Sequence, residues 1–345
     1  MKIFLKKILI VFGIVIFVQI LIKFMIPENW ITHRVIENVR AVNNFWFLSS
    51  FYPNQNISMN EVGDLGHHTK YQIERNNITW ITDKYGFRNS QYIKNPDYVF
   101  IGASFVFGGA LSQDEILSEV FNKKSIQTAY NLAPSNFNQF LERLDNKIIS
   151  KPKTLIYFSI ERNIPKFKKI SNNTKGSAIN RLKNPFLLNI ITPFDKVSKL
   201  NYQKYLVSRM MNSKGQGLHY GGNMLFLQGK EVESRSNYSQ VISHAQILKS
   251  YSDTCDTLGI EFIFIPIPNK ETVYYQRAGL VSQPKYLKLL YSELAKRKVK
   301  TVNLLEIFNN KKDSILLYHL DDTHWNSNST NIAVDQLIKY TNAQQ

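Results

Sequence analysis

Continuous apolar runs alternating with longer stretches of helical periodicity predict a doubly wound α/β domain on a parallel sheet, beginning near Asp97. Two observations carry that expectation. The runs are rich in β-branched and aromatic residues and lack the in–out alternation of a half-exposed sheet, so both faces must be covered. The segments between them are long enough for helices that cross back over the sheet.

In chain order, DYVFIGA at 97–103 reads as the first strand and Gln113–Lys123 as a helix. IQTAYNL follows as the second strand, then a helix over Asn136–Ile149, then TLIYFSI as the third strand. A helix over Tyr238–Leu258 leads into IEFIFIPIP, and one over Lys285–Lys296 leads into KTVNLL. Ligands of such a sheet bind at the carboxyl ends of its strands. About 165–237, between the third and fourth strands, is a long polar insertion with a loop-like tip at Gly215–Gly222. A connection of that length is a subdomain or serves function, and this one is expected to shape the substrate cleft.

The N-terminus places the rest. Ile8–Ile22 reads ILIVFGIVIFVQILI, and with Phe4, Leu5 and Phe24 to Ile26 it reaches the ~20 residues that cross a bilayer. Lys2, Lys6 and Lys7 precede it without an acid, whereas the other flank mixes Lys23 and Arg34 with Glu28 and Glu37, which favours the N-terminus inside. Lys23-Phe24-Met25-Ile26-Pro27 offers no small-x-small cleavage site, so an uncleaved signal anchor is expected. The expected organisation is a cytoplasmic tip and transmembrane anchor over 1–27, an extracytoplasmic stalk and lead-in over 28–96, and the α/β domain with its insertion over 97–345. The expected location is the inner membrane, single-pass, with the domain on the periplasmic side.

Of 345 residues, 43% are hydrophobic, enough for a packed core and against whole-chain disorder. The net charge of +17 suits an anionic surface or polymer, or is a lysine-solvated exterior; no dense basic block interleaved with aromatics speaks for nucleic acid. Cys255, the single cysteine, lies between carboxylates in Asp253-Thr254-Cys255-Asp256 and reads as structural. His67 and His68 are adjacent, which does not fit a metalloprotease helix, and no Walker loop or dinucleotide fingerprint is present, so no metal and no cofactor are expected.

Chemistry concentrates at two places. The first strand ends Gly102-Ala103-Ser104-Phe105-Val106-Phe107-Gly108-Gly109, a serine on a small-residue turn before a helix. Such a serine is a helix N-cap or a nucleophile whose oxyanion sits on the helix-start N–H groups. Val106 stands where the α/β-hydrolase elbow requires glycine. Near the C-terminus, Tyr318-His319-Leu320-Asp321-Asp322-Thr323-His324-Trp325 pairs Asp321 with His324 at i, i+3, a spacing that lets a carboxylate orient an imidazole in a turn. Ser104 as nucleophile, His324 as base and Asp321 as orienting acid form the expected set.

With both blocks in place, the sequence resembles the SGNH or GDSL hydrolase superfamily, and within it the branch of polysaccharide O-acetyltransferases that act in alginate and other exopolysaccharide acetylation. The narrower match rests on Asp83-Lys84-Tyr85-Gly86-Phe87-Arg88, Ser159-Ile160-Glu161-Arg162-Asn163, Pro266-Ile267-Pro268-Asn269-Lys270-Glu271-Thr272-Val273-Tyr274 and Asp322-Thr323-His324-Trp325. The resemblance implies a flavodoxin-like sheet and a serine acyl-enzyme that passes acetyl to a glycan hydroxyl or to water. It also implies an oxyanion site at Ser104 and Asn163, and substrate contacts from Arg162, Lys270, Thr272 and Tyr274, which are otherwise a solvated loop. A membrane-bound O-acyltransferase as acyl donor is a further implication. Ala103 departs from the Gly-Asp-Ser block, and Ala133-Pro134-Ser135-Asn136 lacks the glycine of the second block. An acetylesterase acting on carbohydrate or lipid, or a non-catalytic glycan-binding envelope protein on the same fold, are the alternatives.

Overall fold

The computed structural model describes residues 2–25, 34–42, 46–66, 69–170, 184–199, 218–227 and 237–343. The expectations for Pro27, for His67-His68, for Gly215 and for most of the insertion lie outside these residues.

Helix α1 (Lys2–Met25) is exposed along almost its whole length, and its Lys2–Ile22 stretch has a mean hydropathy of 2.5. Length and composition suffice to cross a membrane, as a signal anchor or span would. A short helix α2 (Val35–Val39) then leads to the antiparallel hairpin β1 (Asn56–Glu61) and β2 (Arg75–Ile81).

The sheet begins at β3 (Tyr98–Ile101), followed by α3 (Ser104–Phe107), a 3₁₀ turn at Gln113–Glu115 and α4 (Leu117–Lys124). Next come β4 (Ala129–Asn131), α5 (Phe137–Asp145), β5 (Thr154–Ile160) and a 3₁₀ segment at Glu161–Lys166. Within the insertion stand α6 (Pro185–Val197) and the hairpin β6 (Leu218–Gly221) and β7 (Met224–Leu227). The chain closes with α7 (Tyr238–Thr257), β8 (Glu261–Ile267), α8 (Lys270–Val273), α9 (Tyr286–Lys296), β9 (Lys300–Thr301), α10 (Leu304–Lys311) and α11 (Ser327–Asn342).

The five sheet strands run parallel in the order β4-β3-β5-β8-β9, the doubly wound order predicted. All seven residues of β5 are buried, which is why its sequence shows no alternation. Each face of the sheet has its own core. Phe100, Ile156, Phe158, Ile263 and Ile265 pack with Phe105, Phe121, Trp325 and Val334 on one side; Val99, Ile101, Leu155, Phe262 and Phe264 pack with Phe137, Tyr251, Leu287 and Leu290 on the other. The order reverses between β3 and β5, so the crevice at the carboxyl end of β3 is where a ligand belongs. Ser104 opens the helix that leaves that point.

Candidate active site

Ser104 is half-buried and starts α3 directly after Gly102 and Ala103. The turn is fixed on both sides. Gly102 and Ser135 exchange two backbone hydrogen bonds, at 3.0 and 2.9 Å, which ties the serine turn to the loop after β4. On the far side, Arg88 is fully buried and donates to the carbonyls of Phe107, Gly108, Leu111 and Thr79, while its guanidinium lies 3.8 Å from the centre of the Trp80 ring. Burial drives its pKa down to about 9, countered first by Glu61. That is the work of the Asp83-to-Arg88 motif: its arginine clamps the turn that follows the serine. Asp83 collects Tyr130 O–H, Asn89 and the N–H groups of Tyr85 and Phe87, closing the motif on itself.

The histidine block folds onto this turn. Phe105, the residue after the serine, has its ring centre 4.8 Å from that of His324 and 5.6 Å from that of Trp325. Gly109 approaches the other edge so closely that a Cβ there would lie 2.9 Å from His324 Nε2. Nε2 is buried and has no hydrogen-bond partner among the described residues. His324 Nδ1 lies 2.6 Å from Asp322 Oδ1, and because a carboxylate only accepts, the hydrogen resides on Nδ1 and the Nε2 lone pair faces the serine turn.

This corrects the expected acid. Asp322, at i−2, orients the ring, and Asp321 faces away. Asp321 Oδ2 accepts from the N–H groups of Gly63 and Ile73 at 2.8 and 2.9 Å, and its Oδ1 accepts from Arg75 Nη1 at 2.9 Å. Its backbone carbonyl takes the N–H groups of Leu65 and Gly66. The approach is so close that a Cβ at position 63 would lie 2.0 Å from that carbonyl oxygen, so only glycine fits. Asp321 is the anchor on which the lead-in segment docks.

Asp322 is enclosed. Its Oδ1 also accepts from His324 N–H, and its Oδ2 accepts from Asp64 N–H at 2.8 Å with Arg75 Nη2 at 3.6 Å. Burial works against its charge, yet the His324 ring, its hydrogen bond and Arg75 outweigh that and hold the carboxyl well below the usual range. Asp64 forms a second layer, accepting Thr323 N–H and O–H, both at 2.7 Å, with Oδ2 3.8 Å from His324 Nδ1. Burial, then the Asp322 charge, raises its pKa. Asp64, Asp322 and His324 offer oxygen and nitrogen atoms within 4.8 Å of one another. Those atoms already hold N–H and O–H donors, and Arg75 stands beside them, an arrangement that suits proton handling better than a cation.

The residues expected to line the cleft divide. Lys270, Thr272 and Tyr274 do not form a solvated loop, because α8 and its C-cap carry them into the core. Lys270 is fully buried, its ammonium donating to the carbonyls of His319, Leu320 and Asp322 at 2.6, 3.0 and 3.0 Å, and burial lowers its pKa to about 8. Thr272 donates to Glu161 Oε2 at 2.6 Å, and Tyr274 O–H accepts from Leu317 N–H at 3.1 Å. Lys270 and Tyr274 thus brace the histidine block, while Thr272 ties the turn after β8 to Glu161. Arg162 is different: its guanidinium lies 5.7 Å from the Phe105 ring centre, and its buried Nη1 has no hydrogen-bond partner among the described residues. Asn163 sits in the turn after β5, its Oδ1 accepting from Lys166 at 3.4 Å. The β6–β7 hairpin also reaches the block, through Leu225 N–H to Leu320 O at 2.8 Å.

Asp64 and Arg75 were not singled out from the sequence, and Asp322 and Gly109 stood there only inside the quoted stretches, without a role of their own. Asp322 stood one residue from the acid chosen; Asp64 and Arg75 sit in the lead-in, where nothing local marks them.

The family model for the SGNH hydrolase-like domain of acetyltransferase AlgX matches residues 223–345. Among solved structures, the lipase/acylhydrolase from Enterococcus faecalis is similar at 10% identity and a TM-score of 0.38, covering 72% of this chain and 96% of its own. No curated protein matches. Residues 223–345 contain Asp322, His324 and the lysine whose ammonium holds the Asp322 carbonyl, so the part of the chain that carries the histidine block is similar to the SGNH hydrolase-like domain of acetyltransferase AlgX.

Proposed function

We propose that the protein moves an acetyl group by a serine acyl-enzyme mechanism, transferring it to a hydroxyl of a cell-envelope or secreted polysaccharide. One observation carries the reading: an Asp322–His324 pair whose free Nε2 faces the turn that begins at Ser104, at the carboxyl end of β3. The acetyltransferase description of the matching family model supports the choice of acyl transfer.

In the first half-reaction Ser104 Oγ bonds to the acetyl carbonyl carbon while its proton passes to Nε2. In this reading the oxyanion rests on Ser104 N–H with Asn163 as a second donor, and the Arg162 guanidinium lies near the Phe105 ring. Collapse breaks the bond to the leaving oxygen, which takes the proton from Nε2. In the second, a sugar hydroxyl gives its proton to Nε2 and attacks the acyl carbon, and Ser104 leaves with that proton. Nδ1–H stays with Asp322 throughout, and the carboxylate stabilises each imidazolium. Nε2 and Ser104 are not hydrogen-bonded without substrate; such contacts often close only in the Michaelis complex.

Water in place of the sugar makes the same site an esterase. In the proposed setting α1 anchors the chain in the inner membrane with the domain on the periplasmic side, and a multi-spanning membrane O-acyltransferase supplies the acetyl group. The test is p-nitrophenyl acetate hydrolysis by the full chain in detergent. Loss in both Ser104→Ala and His324→Ala supports the mechanism, and activity unchanged by Ser104→Ala removes it.

A further inference from the structure

Helix α6 turns Leu188 and Thr192 inward and is fixed to the domain by its polar residues. Asp195 accepts from Tyr52 O–H and Val42 N–H, Asn189 accepts from Asn54, and Lys196 donates to Gln55. The opposite face is apolar and open. Phe186 is 69% exposed, Ile190 47% and Phe194 74%, on one line at i, i+4, i+8, with Leu187 beside them at 41%. A soluble surface has no use for two exposed phenylalanines on one helical stripe, and their setting says what covers them. α6 packs against α1, the apolar helix. Among the α1 residues whose burial is described, the buried one is Gln19, six positions from the helix end at Met25, which is about 9 Å of helix rise. That is the depth at which an interfacial helix seats its apolar face, about 5–10 Å into the headgroup boundary. In the segment that α6 grips, Val42 and Trp46 are also exposed, and tryptophan favours this zone.

We propose that α6 is a second membrane contact: it lies flat in the leaflet at the carboxyl end of α1, with Phe186, Ile190 and Phe194 among the acyl chains. This rests on the reading that α1 crosses the bilayer. Two contacts fix the orientation of the domain, so the site is held at one height and tilt over the lipid surface instead of swinging on a single tether. The net charge of +17 favours an anionic leaflet.

Single cysteines at Phe194→Cys, Phe17→Cys and Ile126→Cys, each in the full chain, test this with a bimane label in phosphatidylcholine–phosphatidylglycerol vesicles that carry brominated acyl chains. Cys255 is buried and its thiol is pushed up to about 12, by burial and then Asp256, so it stays unlabelled. The label at 194 is expected to lose most of its fluorescence, as the label at 17 does, while the label at 126, on a fully exposed loop residue, keeps it. Quenching at 17 but not at 194 overturns the proposal while sparing the anchor, and protection of 194 from aqueous iodide would then show a protein covering the helix. No quenching at 17 overturns the anchor and the proposal with it.

Discussion

Replacing Asp322 with asparagine separates the two adjacent carboxylates. Both oxygens of Asp322 accept N–H donors: Oδ1 those of the His324 ring and backbone, and Oδ2 that of Asp64. An amide must point its NH₂ at one of them. Pointed at His324, it leaves Nδ1 to accept and places the ring hydrogen on Nε2, where it cannot take the serine proton. Pointed at Asp64, it keeps the tautomer but removes the charge that stabilises the imidazolium. Either way kcat is expected to fall about 10³–10⁴-fold, about 4–5 kcal/mol of barrier, with KM little changed. Asp321→Asn meets different partners, Arg75 and the Gly63 and Ile73 N–H groups, none of which touches the ring. Breaking that buried pair is expected to cost about 3–5 kcal/mol of stability while kcat of the folded enzyme stays within about tenfold. p-Nitrophenyl acetate hydrolysis beside urea unfolding reads both. Loss of kcat in Asp321→Asn with retention in Asp322→Asn would refute the assignment.

Gly109→Ala should tilt the His324 ring, since the new methyl meets Nε2 at 2.9 Å; kcat falls while the urea midpoint moves little, and equal loss of both would argue against it. Lys270→Met takes the ammonium from three inward carbonyls, of which Leu320 O keeps Leu225 N–H, so stability is expected to drop by about 2–4 kcal/mol, measured by urea unfolding; an unchanged midpoint would count against the bracing role. His319 predicts an acid sensitivity. Burial, then Arg75, lowers its pKa from 6.5 to about 4, so between those values the unfolded chain binds the proton that the folded chain refuses. Stability therefore falls as the pH drops from 6.5 towards 4, by about 2–3 kcal/mol after allowing for partial exposure, and His319→Gln should flatten that slope. The same slope in variant and wild type would place its origin elsewhere.

The sheet was legible because burial on both faces leaves a mark in each strand: Val99, Phe100 and Ile101, or Phe262 to Ile265, are apolar without interruption. Helix α11 was not, since it opens Ser327-Asn328-Ser329-Thr330, a polar run that reads as a loop; in place, Asn326 caps it through Ser329 N–H and Ser329 O–H bonds Leu317 O. The places of Ser104 at the end of β3 and of His324 against the turn that follows it could be expected, because each block carries a local signature. The acid could not, because Asp321 and Asp322 both lie within three residues of the histidine and either could turn its carboxylate to the ring. Gly63 and Arg75, about 250 positions away, decide between them by claiming Asp321. Lys270, Thr272 and Tyr274 follow a strand and read as a loop open to substrate or solvent; the four-residue α8 and its C-cap, which no local signal announces, bury them instead.

The central claim is that Ser104 is a nucleophile made reactive by His324. Treating the full chain with a fluorophosphonate and mapping the adduct by mass spectrometry tests it most directly. The account predicts one adduct, on Ser104, absent in Ser104→Ala and strongly slowed in both His324→Ala and Asp322→Asn. An adduct on another residue, or labelling of Ser104 at an undiminished rate in His324→Ala, would contradict it.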